Sequence, residues 1–136
     1  DAMASGGIGK TGARILSPET IELWRAPRLA PSQMTDFWDY LDGYNYGLGV
    51  RTLVDRSGGK RAPLGEFGWG GAACAHLTID IENRISVYFA AHQLSSPAQG
   101  LRSIAYRFAR AELCNEGDFD RIYKDLREIH NYNLTY

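Results

Sequence analysis

The chain has 136 residues, 44% hydrophobic and 23% charged, with a net charge of −1. That length fits one domain, the charge balance leaves no basic footprint for nucleic acid, and no apolar run approaches the ~18 residues of a membrane span. The two cysteines, Cys74 and Cys114, sit in neither a metal-ligand nor a Cys-x-x-Cys spacing. A disulfide framework is therefore not expected, a reducing, cytoplasmic setting is favoured, and no cofactor or metal is expected. The chain starts at Asp1 with neither a methionine nor a leader pattern, which reads as a piece of something longer.

In chain order, residues 1–5 read as the end of a helix closed by Gly6-Gly7. Ser17-Pro18-Glu19 supplies an N-cap, a proline at the first helical position and an acid suited to the helix dipole, so a short helix is predicted over 18–25. Pro27 and Pro31 punctuate a loop, and the aromatic, acidic segment 35–42 takes no assignment. Three strands are predicted next. The first is 44–55, with Gly47 and Gly49 as flexible points. The second is 67–80, and from Ala73 its alternation sets Ala73, Ala75, Leu77 and Ile79 against Cys74, His76, Thr78 and Asp80. The third is 84–92, joined to the second by a short hairpin at Ile81-Glu82-Asn83. Leu101, Ile104, Ala105 and Phe108 recur at helical spacing, as do Phe119, Ile122, Tyr123, Leu126 and Ile129 after a break at Asn115-Glu116-Gly117. The fold class expected is α+β, an antiparallel sheet of three strands covered by C-terminal helices.

The densest chemical signal is Gly65-Glu66-Phe67-Gly68-Trp69-Gly70-Gly71-Ala72, which crowds glycines around one tryptophan and runs into an alternating strand. Glycine in a strand commonly marks close approach by a ligand or another backbone. The alternatives are core packing for Trp69 and a bulge for Gly70-Gly71. His76 and His92 have no serine or acid at motif spacing and read as structural, and the acids of the last two helices read as a solvated face.

Three further stretches match motifs by letter only. Ala4 to Thr11 nearly spells a phosphate-binding P-loop, but a P-loop needs a strand before it and a helix opening at the Lys-Thr, and Gly12 and Pro18 leave at most a few helical residues there. Lys10-Thr11-Gly12 lies outside any predicted strand. Ser57-Gly58-Gly59-Lys60 is a Ser-x-x-Lys, yet two central glycines between strands make a turn rather than the helical turn that would bring the lysine beside the serine. No Tyr-x-Asn or Ser-x-Asn triplet occurs.

Taken in order, the Gly-Gly loop, Ala13-Arg14-Ile15-Leu16-Ser17-Pro18-Glu19-Thr20, Tyr46-Gly47-Leu48-Gly49-Val50, Trp69-Gly70-Gly71 and Ile79-Asp80-Ile81-Glu82-Asn83 resemble the C-terminal part of the serine β-lactamase-like hydrolases. That family includes class C β-lactamases, penicillin-binding carboxypeptidases and related esterases. The resemblance covers residues 1 to about 97. It implies a partial β-lactamase/transpeptidase-like fold over 1–114; residues 115–136 match nothing in it and read, from their helical spacing, as a helical C-terminal extension. The family's whole fold is a five-stranded antiparallel sheet with helices on both faces and an all-helical region across a cleft. It implies acyl transfer through a serine and a covalent acyl-enzyme on a small-molecule ester or amide. The backbone amide of Ala72 would be one of two oxyanion donors, Gly70 and Gly71 would admit the acyl group, and Trp69 would line its pocket. Penicillin-recognising members carry a lysine where Trp69 stands, so the resemblance favours an esterase over a β-lactamase. The serine would lie outside this chain, which alone would be inactive. Lacking its partner strands, it would also expose a sheet edge and tend to oligomerise. Two other classes stay open at this point: a non-catalytic binding module on the same scaffold, and the P-loop nucleotide binder.

Overall fold

Glycines decide where the chain reverses. In the computed structural model, which describes residues 1–34, 42–58, 62–73, 75–90 and 92 with Ala105 and Ala109, the first reversal comes at Gly6-Gly7. Both have positive φ (66° and 89°). Gly7 N–H donates to the Ala2 carbonyl at 2.8 Å and Gly6 N–H to that of Met3 at 3.2 Å, the paired closure of a Schellman motif. The predicted C-cap is therefore present, on a single helical turn. Ile8 and Arg14 then form an antiparallel bridge.

Helix α1 spans Pro18–Arg25, the range predicted. Ser17 Oγ accepts from Thr20 N–H at 3.2 Å, and Glu19 sits in the first turn with its carboxyl held below the usual range, chiefly by a backbone hydrogen bond and then by Ser17. Helix α2 is one turn, Pro31–Met34.

Five strands follow: β1 Tyr44–Tyr46, β2 Arg51–Leu53, β3 Phe67–Gly70, β4 His76–Asp80 and β5 Ile85–Phe89. They form one antiparallel sheet in the order β1-β2-β3-β4-β5. This corrects the expected α+β arrangement of three strands covered by C-terminal helices. Among the described residues the chain is mostly β, and its two short helices both precede the sheet. The physical reason lies in the glycines inside the first two predicted strands, which fold each strand into a hairpin. Gly47 N–H donates to the Val50 carbonyl at 2.7 Å, dividing 44–55 into β1 and β2, and Gly71 N–H donates to the Ala75 carbonyl at 2.8 Å, dividing 67–80 into β3 and β4. The third predicted strand is β5. Apart from Ala105 and Ala109, the predicted C-terminal helices lie outside the described residues, as does the expected boundary at 114/115.

The chain divides into two compact units, residues 1–69 with 78–86, and residues 70–77 with 87–136. The first holds the apolar core: Ile21 of α1, Leu53, Phe67, Ile79 and Ile85 are all at most 3% exposed. Thr52 sits opposite Phe67 in the register and Asn45 opposite Thr52, so these three share the face turned to α1. There Thr52 Oγ1 donates to the Arg25 carbonyl at 2.6 Å. Asn45 Oδ1 accepts from the Arg28 and Leu29 amides at 3.1 and 3.0 Å. The outer edge of β1 is partly occupied, since Arg28 N–H donates to the Tyr46 carbonyl at 2.9 Å.

The β1–β2 turn docks on the end of α1 through Leu48 N–H to the Trp24 carbonyl at 2.9 Å and Trp24 Nε1–H to the Leu48 carbonyl at 2.7 Å. Only glycine fits at 47, because a Cβ there would lie 2.5 Å from the Trp24 carbonyl oxygen. Gly47→Ala is predicted to cost about 1–3 kcal/mol in denaturant unfolding. Gly71→Ala, where a Cβ would meet nothing within 4 Å, should stay within ~0.5 kcal/mol.

Candidate active site

Strand β3 begins from a fixed point. Arg25 of α1 is held by Glu22, with Nη2 to Oε1 at 2.7 Å, and donates from Nη1 to the Gly65 carbonyl at 2.7 Å. Phe67, fully buried, stands edge-on to Trp24 with ring centroids 5.6 Å apart and planes at 72°. Those contacts fix the start of the strand on the α1 side.

The other face carries a buried polar cluster. Arg51 and Glu66 are both nearly sealed from solvent and pair at 3.2 Å, Nη2 to Oε1. Arg51 Nη2 also donates to Thr78 Oγ1 of β4 at 3.2 Å. Tyr44 Oη donates to Glu66 Oε2 at 2.8 Å, and the Arg51 guanidinium lies 5.0 Å from the centre of the Tyr44 ring. Burial pushes the Glu66 carboxyl above its ordinary value, opposed by Arg51 and by hydrogen bonds from Tyr44 and Thr78, and aided by the charge of Asp80. Burial, and then the Glu66 charge, push the Tyr44 phenol up. Asp80, fully buried, accepts from Asn83 N–H at 3.0 Å and Nδ2 at 2.8 Å, which shapes the β4–β5 hairpin. The sequence reading missed this cluster. Two signals pointed to it: Arg51 and Glu66 are opposite charges bracketing one strand pair, and alternation had already put Thr78 and Asp80 on one face.

The four site residues expected from sequence run consecutively along the end of β3 and into its turn. Trp69 is half-buried and meets Tyr46 of β1 nearly at right angles, with centroids 5.2 Å apart and planes at 68°. It thus has a ring partner while keeping exposed surface. Gly70 is half-buried, and Gly71 and Ala72 are exposed. Trp69 is aromatic and uncharged, and the two residues that follow it carry no side chain.

The other motifs fall elsewhere. Lys10-Thr11-Gly12 forms the turn between Ile8 and Arg14, with Gly12 N–H donating to the Gly9 carbonyl at 2.9 Å. Lys10 pairs at the surface with Asp1 at 3.2 Å. No helix opens there before Pro18, so the loop lacks the geometry of a phosphate cradle. Ser57 folds back on Asp55, N–H to Oδ1 at 2.8 Å and Oγ to Oδ2 at 2.7 Å, in a turn rather than a helix. Lys60 lies outside the described residues, as do Cys74 and Cys114. His76 is half-buried and His92 exposed. Among the described residues, no three His, Cys, Asp or Glu converge as metal ligands, and no helix is long and apolar enough to cross a membrane.

No protein family's sequence profile matches the chain, and no curated protein matches it. Among solved structures it is similar to EstCE1, a hydrolase with promiscuous acyltransferase activity, with a TM-score of 0.53 and 23% sequence identity. The match covers 69% of this chain and 23% of that one. At this identity the likeness is one of fold, and the chain spans about a quarter of the length of that structure.

Glu66→Gln leaves a buried guanidinium facing an amide and should cost about 3 kcal/mol, whereas the double change Arg51→Met/Glu66→Leu should recover most of that loss in urea unfolding. The raised carboxyl also sets a pH dependence. Between the ordinary value of 4.5 and the raised one, the folded chain holds a proton that the unfolded chain has released. The contribution of Glu66 to stability is therefore fully present below 4.5 and is lost as pH rises through the raised value. Subtracting the Glu66→Gln profile from that of the wild type should isolate this falling slope.

Proposed function

We propose that this chain is the C-terminal, β-rich part of a serine hydrolase that acts by acyl transfer on a small-molecule ester or amide. The serine belongs to a part of the protein outside these residues. The observation that carries the reading is the Trp69-Gly70-Gly71-Ala72 run at the end of β3, with Gly71 and Ala72 exposed in the following turn, on a fold similar to that of EstCE1.

In this reading the serine Oγ attacks the acyl carbon and the carbonyl oxygen gains negative charge. The Ala72 amide N–H donates to that oxygen, together with the amide of the serine itself. A donor fixed before the reaction costs no reorganisation when charge develops, which is why one such hydrogen bond typically contributes ~3 kcal/mol to the transition state. Gly70 and Gly71 leave the strand without side chains along the path of the acyl group. Trp69 presents an uncharged apolar surface, which suits a neutral acyl group. It supplies nothing to attract a substrate carboxylate, so esters rank ahead of penicillin-type amides as substrates.

The test uses the full-length protein, serine-bearing part included. Replacing the residue-72 amide by an ester linkage (lactate in place of Ala72) removes one N–H and leaves the chain shape nearly unchanged. The expected outcome is a kcat about 10²–10³ lower on a p-nitrophenyl ester, with KM little changed. Unchanged kcat would remove Ala72 from the site. Failure of a fluorophosphonate probe to label any serine of the wild-type protein would leave a binding module on this scaffold instead.

A further inference from the structure

Tyr46 opens the Tyr46-Gly47-Leu48-Gly49-Val50 stretch, and its ring meets that of Trp69. Its own backbone is pinned on three sides. Its carbonyl accepts from Arg28 N–H at 2.9 Å, its register partner is Arg51 of β2, and the turn that begins at the next residue is tied to Trp24 through both polar atoms of the Leu48 backbone. Across β2, Arg51 pairs in turn with Gly68 of β3. The row therefore runs Tyr46, Arg51, Gly68. The last has no side chain, and Arg51 directs its guanidinium to Glu66 and Thr78. Trp69 is the next residue along β3, and the Tyr46 and Trp69 rings meet with centroids 5.2 Å apart and planes at 68°. A ring held on a rigid strand limits how far its neighbour can turn, and a fixed indole discriminates between ligand shapes better than a mobile one.

Building on the acyl-transfer reading above, we propose that Tyr46 is a positioning residue that sets acyl specificity. By holding the Trp69 indole in one orientation, it makes that indole a flat wall selecting aromatic, uncharged acyl groups over aliphatic ones of similar size. Tyr46 does not touch the reacting atoms. Its effect belongs in the ratio between substrates rather than in the rate on any one of them.

The experiment compares kcat/KM for a phenyl benzoate and a phenyl hexanoate ester on full-length wild type, Tyr46→Phe and Tyr46→Leu. Phe keeps the ring; Leu keeps bulk and loses it. Near-UV circular dichroism reports whether the tryptophans remain ordered in each variant. The expected result is that Tyr46→Leu lowers the benzoate-to-hexanoate ratio about three- to tenfold, the size of one aromatic pair contact, while Tyr46→Phe keeps the wild-type ratio. An equal fall on both esters in Tyr46→Leu, or a ratio lost in Tyr46→Phe as well, would overturn the proposal. Should Tyr46→Leu not fold, Tyr46→Met takes its place and is judged by the same ratio. A wild-type protein that hydrolyses neither ester and takes no fluorophosphonate would fail the acyl-transfer reading itself and this proposal with it. An active wild type whose ratio ignores residue 46 would fail this proposal alone.

Discussion

A guanidinium and a carboxylate sealed inside a sheet have few places to go. Arg51 and Glu66 are almost without solvent contact, so each must find its partner within the chain or be left as a costly buried charge. Their pairing ties β2 to the residue that precedes β3, and the same Arg51 nitrogen reaches Thr78 on β4. Tyr44 closes the group from β1. Four of the five strands thus contribute to, or lead directly from, one polar contact. A slip of one residue in β2 or β3 would send a charge to the wrong face, so the pair acts as a register lock for the strand that carries Trp69.

The opposite face reaches the same end by different means. There Ile21, Trp24 and Phe67 bury apolar surface, Thr52 and Asn45 satisfy backbone groups at the helix end and in the loop after it, and Arg25 satisfies the Gly65 carbonyl before β3. β3 is gripped by polar contacts on one side and by a helix on the other.

What could be read from the sequence was what local chemistry encodes. Ser17-Pro18-Glu19 specifies a helix start within a few residues, and the structure begins α1 at Pro18. Gly6-Gly7 specifies a helix end, and both residues take the left-handed conformation. Strand number was harder to read. Tyr44 to Asp55 and Phe67 to Asp80 look continuous in composition, and only hydrogen bonding across Gly47–Val50 and Gly71–Ala75 reveals that each is a hairpin. The Trp69-Gly70-Gly71-Ala72 run stands out in the sequence because glycines crowd one tryptophan, and the structure places it at the end of β3 and in the turn that follows. The contact of Tyr46 with Trp69 and the pairing of Arg51 with Glu66 were harder to read, since both depend on which strands become neighbours.

The most direct test of this account is a crystal structure of the full-length protein with its reactive serine trapped as a phosphonate. The account predicts a phosphonyl oxygen about 2.7–3.1 Å from the Ala72 amide nitrogen, with the phosphonate substituent against Trp69. A phosphonyl oxygen held only by other donors, with the Ala72 amide turned away, would contradict it.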